Sequence, residues 1–388
     1  MLPRLLAPFL ALAAVGAPVS PAPTAPTDIA VVSSEGVLRS ESINTQPGRI
    51  YQFGSVSKTI TAAAVEDAGI APTTPVEVVL PSLRDTELAH RGTTIADLLA
   101  HTSGLPHDVT VTDHHRSDRA SDILPEVAAL PLGDHGTYRY SSLNYLLLQA
   151  VLEERFPDAA PTTPGLVTDG DVPAGSAPFL TWRVPLAARH DAAGLGYGYL
   201  AGDITTLGDF ASRQLAAPSA AWREETMLID AGTGATGATE VTAYRHSGAV
   251  PGYFAHVTLV PERDRAVVLL TAYYGELDAH RLNAWADNVV RTELGGRAEP
   301  LPAPSRVSLW LMMACVVPLL ALLLRPRRWA VAAAVVVAVG SVILPYVLGY
   351  PLHHLWPWAP DVAAAVILWS LLWLLTAGIT EYRRRGRR

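Results

Sequence analysis

Three long apolar stretches near the C-terminus place the strongest constraint on how this chain can fold. They span residues 307–324, 329–348 and 362–379, and each is about long enough to cross a bilayer as a helix. Backbone groups in lipid must pair within their own segment, which a helix allows. All three are apolar on every side, which favours membrane spans over the alternative, buried helices of a soluble core. The sequence therefore predicts three transmembrane helices.

The arginines around these stretches predict how the chain crosses the membrane. Arg325, Arg327 and Arg328 separate the first two stretches, whereas residues 349–361, between the second and third, contain no Lys or Arg. Basic loops stay on the cytoplasmic side. Residues 28–300 are therefore predicted to lie outside the cell, with a cytoplasmic C-terminal tail. The tail is basic through Arg383, Arg384, Arg385, Arg387 and Arg388.

The N-terminal end has the pattern of a secretory segment. Arg4 precedes an apolar run that ends in small residues near residue 17, as in a signal peptide or an N-terminal anchor. Residues 18–27 are rich in Pro, Ala and Thr and should form an extended linker. The predicted organisation is a leader with linker (1–27), an extracytoplasmic domain (28–300) and a membrane domain (301–388).

Charge and cysteine content exclude several classes of protein. Residues 1–300 contain 20 basic and 34 acidic side chains, so the predicted extracytoplasmic domain is acidic and no nucleic-acid partner is expected. The lone Cys315 excludes an intrachain disulfide and a Cys-rich zinc site. The apolar stretches make the lipid bilayer an expected partner.

Hydrophobic periodicity within residues 28–300 predicts an α+β domain. Alternating runs at both ends indicate an antiparallel sheet, and 3.6-residue patterns between and after them indicate helices. The predicted strands are 29–32, 37–38, 50–53, 241–244, 253–259 and 266–271, and the predicted helices are 56–67, 95–100, 144–154, 207–215 and 278–293.

Lys58 is the only lysine among 29 basic residues, and it follows Ser55 by three positions. If Ser55 opens a helix, residues i and i+3 share one face, so the amine can reach the serine hydroxyl. Arginine could not replace it as a proton acceptor, because a guanidinium does not release its proton. The alternative is an N-cap serine followed by an exposed lysine.

Two further segments suggest the remaining parts of a serine-hydrolase site. Tyr140 and Ser142 lie where a predicted helix begins, and His246 and Gly248 lie on a predicted strand. Nucleophilic serine catalysis needs a base, an oxyanion hole and a group that faces the substrate, and three segments could supply these. His101, in the sequence HTSG, is predicted to fix a turn, and the alternative is a role at the cleft.

Taken together, these motifs resemble those of the class C β-lactamase and penicillin-binding-protein family of serine hydrolases. Ser55-Val56-Ser57-Lys58 matches the S-x-x-K motif, Tyr140-Ser141-Ser142 corresponds to Y-x-N, and His246-Ser247-Gly248 corresponds to K/H-x-G. The resemblance covers about residues 28–300. It implies a β-lactamase/transpeptidase-like fold, in which an antiparallel sheet is flanked by helices and joined by a further helical region.

The resemblance also implies roles for individual residues. Ser55 would attack a carbonyl, Lys58 and Tyr140 would accept and return its proton, and the N–H groups of Ser55 and Ala249 would form the oxyanion hole. The implied substrates are D-Ala-type peptides, β-lactams or esters, including cell-wall material, with no cofactor and no metal. The substrate-binding residues would be Ser142, His246, Ser247 and Gly248.

Several alternatives remain at this stage. Ser142 stands where the family has Asn, and the region before His246 is short, which would also suit a catalytically weak sensor of wall fragments. A transporter subunit is disfavoured because the three stretches contain few polar residues. Residues 232–237 fit G-x-G-x-x-G but lack the helix that a dinucleotide site requires. A polar loop is favoured over a metal site for His107, Asp108, Asp113, His114, His115 and Asp118.

Overall fold

The computed structural model describes residues 20–107, 111–114, 116–156, 164–169, 171–230, 238–321, 328–348 and 351–386. The predicted leader (residues 1–17), the glycine-rich run 232–237, and both Asp108 and His115 lie outside the described residues. So do Arg325 and Arg327 of the first basic cluster, and Arg387 and Arg388 of the second.

The centre of the domain is a six-stranded antiparallel sheet in the order β2-β1-β10-β9-β8-β7. Two short two-stranded sheets, β3-β6 and β4-β5, accompany it. The strands are β1 (Thr27–Ser33), β2 (Gly36–Ile43), β3 (Tyr51–Gln52), β4 (Gly175–Phe179), β5 (Trp182–Leu186), β6 (Ala201–Gly202), β7 (Arg223–Ile229), β8 (Thr239–Val250), β9 (Tyr253–Val260) and β10 (Arg265–Thr271).

Both faces of the central sheet are covered, which explains its apolar inner strands. Every residue of β1 and β9 is buried. Along β1, Ala30 and Val32 belong to one hydrophobic core, and the alternate residues Ile29 and Val31 belong to another. Successive side chains of a strand point to opposite faces, so one strand contributes to two cores.

Helices form the layers on the two faces. Trp285 of α8 is fully buried in the same core as Ile29, whereas Phe210 of α7 belongs to the core on the other face, as does Leu147 of α6. The α+β prediction is confirmed. The helices of the domain are α1 (Ser57–Asp67), α2 (Val76–Val79), α3 (Glu87–His90), α4 (Ile95–Leu99), α5 (Leu124–Ala128), α6 (Ser142–Arg155), α7 (Ile204–Gln214) and α8 (Ala279–Glu293).

The C-terminal part consists of five helical segments. Two helices in the described part of the chain, Ala330–Val347 and Pro360–Arg385, are long and apolar enough to cross a membrane. The five segments are α9 (Val307–Ala314), α10 (Val316–Ala321), α11 (Arg328–Val347), α12 (Leu352–Trp358) and α13 (Pro360–Arg385).

The first of the three predicted spans differs from the prediction. Within Val307–Ala321 the helix is interrupted at Cys315, and residues 322–324 of this predicted span lie outside the described residues. Pro318 explains the interruption, because a proline has no N–H to donate and its ring clashes with the carbonyl four residues earlier. Thr376 of α13 donates a hydrogen bond to the Pro318 carbonyl (2.8 Å), so this segment packs against the last helix.

Helix α12 was not predicted, and it lies against the domain that contains the six-stranded sheet. The ring of Trp358 packs edge-on against Tyr274, with ring centroids 5.7 Å apart. His354 is buried, and its Nε2 lies 3.9 Å from the Asp113 carboxylate. The segment between the last two long helices therefore contacts the domain directly.

Candidate active site

Ser55 lies in a single 3-10 turn, Gly54–Val56, that leads into α1, and Lys58 lies in the first turn of α1. The turn contacts strand β8 so closely that neither segment has room for a side chain at the point of contact. A Cβ on Gly54 would overlap the backbone of Ala249, and a Cβ on Gly248 would overlap that of Phe53 and Ser55. Gly54 also has φ +54°, a conformation that glycine adopts without strain. Two glycines thus bring the serine turn beside the strand edge.

The structure brings the three predicted catalytic side chains into direct contact. Ser55 Oγ lies 2.8 Å from the Tyr140 hydroxyl and accepts a hydrogen bond of 3.1 Å from Lys58 Nζ. Lys58 Nζ also donates to the Tyr197 carbonyl (2.7 Å) and to Ser142 Oγ (3.4 Å). A serine hydroxyl held between these two groups can transfer its proton to a neutral amine or to a phenolate.

Lys58 is fully buried, so the alternative of an exposed lysine is wrong. The three acceptors Ser55 Oγ, Ser142 Oγ and the Tyr197 carbonyl match the three donors of an ammonium group. Its Nζ lies 5.0 Å from the ring centroid of Tyr140, 5.9 Å from that of Tyr145 and 5.7 Å from that of Tyr197. Aromatic faces at this range attract a cation. The lysine is therefore fixed in position by its whole environment.

His101 supports the Tyr140 segment, a role that the motifs alone do not indicate. Its Nδ1 accepts hydrogen bonds from the Ser141 N–H (3.2 Å) and from Asn144 Nδ2 (3.1 Å). Its ring lies against Tyr140, with centroids 4.7 Å apart. Burial, together with the nearby Lys58 ammonium, lowers the pKa of His101 to about 3, which keeps the ring neutral and Nδ1 an acceptor.

The prediction that His101 fixes a turn is confirmed. The residue has φ +58°, and its carbonyl accepts a hydrogen bond of 2.8 Å from the Arg139 N–H. The turn of His101 and the segment that leads to Tyr140 are thus joined through backbone as well as side chain. A histidine in HTSG followed 40 residues later by the tyrosine motif was the only sequence signal for this support.

Strand β8 carries the third motif. Ser247 Oγ donates to Asn283 Oδ1 (2.6 Å), which leaves it an acceptor for Nδ1–H of the buried His256 (2.8 Å). His246 Nδ1 donates to the Ser247 carbonyl (3.0 Å). Burial and the charge of Lys58 lower the pKa of His246 to about 4, so this side chain is neutral at pH 7.

These segments surround a cleft of about 570 Å³. Ser55, Tyr140 and Ser142 line one side together with the strand residues Ser247, Gly248 and Ala249, whereas His246 is not among the described residues that line the cleft. The described lining contains two carboxylates and no Lys or Arg. The two carboxylates are those of Asp113 and Glu276, and most of the other lining residues are aromatic or apolar. The remaining lining residues are His107, Tyr197, Gly198, Val250, Phe254, Tyr274, Ala279, Asn283, His354, Leu355, Trp358 and Ala359.

The described residues of the polar loop near residue 113 show no arrangement of metal ligands. No group of three or more His, Cys, Asp or Glu side chains suited to a metal occurs in the described ranges. Asp113 instead accepts a hydrogen bond from the Tyr199 hydroxyl (3.1 Å), and its N–H donates to the Tyr197 hydroxyl (2.8 Å). Its position beside the cleft was not anticipated.

Comparison with known proteins agrees with this geometry. The family model described as Beta-lactamase matches residues 29–162, which contain Ser55, Lys58 and Tyr140. No protein of curated function matches the sequence.

Several solved structures share the fold. D-alanine carboxypeptidase AmpC from Burkholderia cenocepacia is 14% identical, with a TM-score of 0.53 over 75% of this chain and 96% of that one. A β-lactamase/D-alanine carboxypeptidase from Pseudomonas syringae is 15% identical, with a TM-score of 0.53 over 71% and 95%. A D-stereospecific amidohydrolase from Streptomyces sp. is 13% identical, with a TM-score of 0.50 over 64% and 90%. Residues 29–162 thus match the Beta-lactamase family model, and the chain has the fold shared by class C β-lactamases and a penicillin-binding-protein homologue.

Proposed function

We propose that this protein is a membrane-anchored serine hydrolase that forms an acyl-enzyme at Ser55. The observation that carries the proposal is the position of Ser55 Oγ, 2.8 Å from the Tyr140 hydroxyl and 3.1 Å from Lys58 Nζ. Both distances are hydrogen-bond distances, as proton transfer from the serine requires.

The mechanism follows from these contacts. In the reactive form of the site Lys58 carries a neutral amine or Tyr140 a phenolate. Ser55 Oγ attacks a substrate carbonyl while its proton passes to that base, and the same proton later goes to the leaving group. The developing oxyanion is stabilised by the N–H groups of Ser55 and Ala249, which the Gly54 and Gly248 contact brings close together. Water then attacks the acyl-enzyme, its proton takes the same route back to Ser55, and the acid is released.

The lining of the cleft favours neutral esters and amides among the candidate substrates. Asp113 and Glu276 are acidic, and no Lys or Arg lies among its described lining residues. A substrate with a free carboxylate, such as a D-Ala-terminated peptide or a β-lactam, would find no cationic side chain among the described lining residues, and His246 of β8 is neutral. The names of the similar structures include carboxypeptidases, a β-lactamase and an amidohydrolase, all of which cleave acyl bonds.

The extracytoplasmic orientation is also a proposal. It rests on the arginines between the first two apolar stretches and after the third. The contact of α12 with the domain supports it, because a loop between two membrane helices reaches only a domain on its own side. Cell-wall peptides or esters would then be accessible.

Covalent labelling tests the proposal. A fluorophosphonate probe should label the full chain in detergent micelles, and Ser55→Ala should abolish the label. Ser57→Ala is the matched control, since Ser57 is a buried serine two positions further on and should leave labelling intact. Labelling that persists in Ser55→Ala would contradict the assignment of the nucleophile.

Ser142 favours a second candidate function, a sensor that is acylated but turns over slowly. The serine hydroxyl reaches Lys58, yet it is shorter than an asparagine amide and has no N–H₂ group for a substrate. Stoichiometric acylation without release across a panel of esters and amides would support the sensor. Steady turnover would support the hydrolase.

A further inference from the structure

The segment between the last two membrane helices contributes to the same cleft as Ser55. His354, Leu355 and Trp358 of α12 line it, followed by Ala359. These residues lie about 300 positions after the serine in sequence. Trp358 is two residues before Pro360, where the long apolar helix α13 begins. This side of the cleft, which we name the outer wall, is therefore next to the membrane part of the chain.

Ring packing holds the outer wall against the domain. Trp358 is half-buried, and its ring meets Tyr274 at 87°, an edge-on arrangement that aromatic pairs favour. By contrast, Trp356 on the same helix is 46% exposed and does not line the cleft. Only one of these two neighbouring tryptophans is thus directed to the cleft.

His354 gives the outer wall a polar anchor. Its Nε2 is buried, has no hydrogen-bond partner among the described residues, and lies 3.9 Å from Asp113 Oδ2. Although burial raises the pKa of Asp113, contacts with His354 and the Tyr199 hydroxyl hold it below its ordinary value, so the carboxylate is charged. The same Asp113 bonds Tyr197, whose carbonyl holds Lys58.

The chemistry of the wall indicates what it binds. Leu355 and Trp358 line the same cleft as Val250, Phe254 and Tyr274, so this end of the cleft offers apolar and aromatic surface next to the carboxylates of Asp113 and Glu276. Apolar ligand surface gains about 25 cal/mol for each Å² removed from water. The start of α13 beside it places this end at the membrane surface, where amphipathic molecules concentrate.

We propose that α12 is the substrate-selecting wall of the active site, and that the substrate is a neutral ester or amide with an extended apolar chain that lies against Trp358. This inference rests on the proposed acyl-enzyme at Ser55 and names the substrate class of that site. Trp358 is the specificity-determining residue, and His354 positions the wall through Asp113.

The test compares two probes on the full chain in micelles. An ethyl fluorophosphonate and a decyl fluorophosphonate measure how fast Ser55 reacts without and with a long apolar chain. Wild type should prefer the decyl probe. Trp358→Ala should reduce its second-order labelling rate at least tenfold, while the rate with the ethyl probe changes less than twofold. Trp356→Ala, the matched control, should change neither rate by more than twofold.

A second variant keeps the inference testable if Trp358→Ala is unstable. His354→Ala removes the contact with Asp113 and should also lose most of the preference for the decyl probe, while the ethyl rate confirms a folded site. Equal labelling by both probes in wild type, or an unchanged preference in Trp358→Ala and His354→Ala, would overturn the inference.

If neither probe labels wild type, the proposed acylation of Ser55 is wrong, and the outer wall must be tested by binding alone. In that case binding of a fluorescent decanoyl amide is measured by anisotropy. Weaker binding by Trp358→Ala than by Trp356→Ala would still support the inference that the outer wall binds the apolar chain, and equal binding would overturn that inference.

Discussion

The two walls of the cleft are held in place by different forces. The inner wall, with Ser55, Lys58 and Tyr140, is a polar network with contacts of 2.8 and 3.1 Å on elements of the domain core. The outer wall is held by ring packing at Tyr274 and by one contact of 3.9 Å between His354 Nε2 and the Asp113 carboxylate. Hydrogen bonds fix direction as well as distance, whereas apolar packing is non-directional.

This difference separates two tasks within one site. Reacting atoms need positions accurate to about half an ångström, which a network on rigid elements can maintain. An apolar substrate chain needs only a surface of suitable shape, which a short helix can offer. Substitutions in the inner wall should therefore change the chemical step, and substitutions in the outer wall should change which substrates are selected.

Lys58→Arg should have the largest effect and tests the inner wall directly. The positive charge is retained, but the guanidinium does not release its proton and must fit a fully buried position. Loss of a general base costs about 10²–10⁴-fold in rate. The second-order rate of Ser55 labelling by the ethyl fluorophosphonate should fall by about that factor.

The control for Lys58→Arg is the thermal unfolding midpoint, which separates lost chemistry from a lost fold. Lys58→Met has a side chain of similar length without charge, and it should lower the labelling rate as far as Lys58→Arg does. A labelling rate of Lys58→Arg within tenfold of wild type in a folded protein would show that Lys58 is not the proton acceptor.

Much of the fold was predictable, because its elements are strongly periodic. β1, β9, β10 and the helix α8 were predicted within a few residues, since their apolar patterns match the buried faces. Strand β7 was missed because its sequence, REETMLI, is largely polar at the sheet edge, where only Met227 and Ile229 are buried. The β4-β5 hairpin was missed because each of its strands contains a proline.

The two walls also differ in how well the sequence predicts them. Ser55, Lys58 and Tyr140 belong to short motifs, and the single lysine marked the reactive turn. The outer wall has no motif, because the proximity of Trp358 to Ser55 arises only when the chain after α11 folds back onto the domain. The support of His101 for Tyr140 likewise depends on a contact across 40 residues.

The pH dependence of stability tests how the inner wall is supported. His101 has a pKa of about 3 in the folded chain and about 6.5 in an unfolded one, so below pH 6.5 the unfolded state binds more protons. The contribution of the neutral histidine to the free energy of unfolding is therefore fully present above pH 6.5 and is lost as the pH falls. The slope for one such group reaches about 1.4 kcal/mol per pH unit. His246, with a pKa of about 4, acts in the same direction.

His101→Asn isolates the contribution of His101. Asparagine tolerates a positive φ, and its Oδ1 can accept the Ser141 N–H bond, but it does not titrate. Between pH 6.5 and 4.5, unfolding free energies from denaturant titration should fall less steeply for His101→Asn than for wild type. His101→Leu, without an acceptor, should lose about 1–3 kcal/mol at pH 7 as well. Identical slopes in wild type and His101→Asn would show that His101 is not held neutral.

Ser142 offers the smallest expected effect and the finest test of the inner wall. Its hydrogen bond from Lys58 is the longest of the three, at 3.4 Å, so Ser142→Ala should lower the turnover of a neutral amide less than tenfold. Ser142→Asn introduces an amide that can contact both Lys58 and the substrate. It should raise turnover about tenfold, equivalent to about 1.4 kcal/mol of transition-state stabilisation.

Steady-state kinetics on the same amide decide between two views of the native site. A rise in kcat for Ser142→Asn with unchanged thermal unfolding means that wild type is a weakened form of the family's site, which agrees with slow release of the acyl group. A fall in kcat means that the serine suits the native substrate, because the space beside Lys58 is then needed for the substrate itself. The preference for the decyl probe over the ethyl probe should be the same in Ser142→Asn and wild type, since the apolar chain lies against the outer wall.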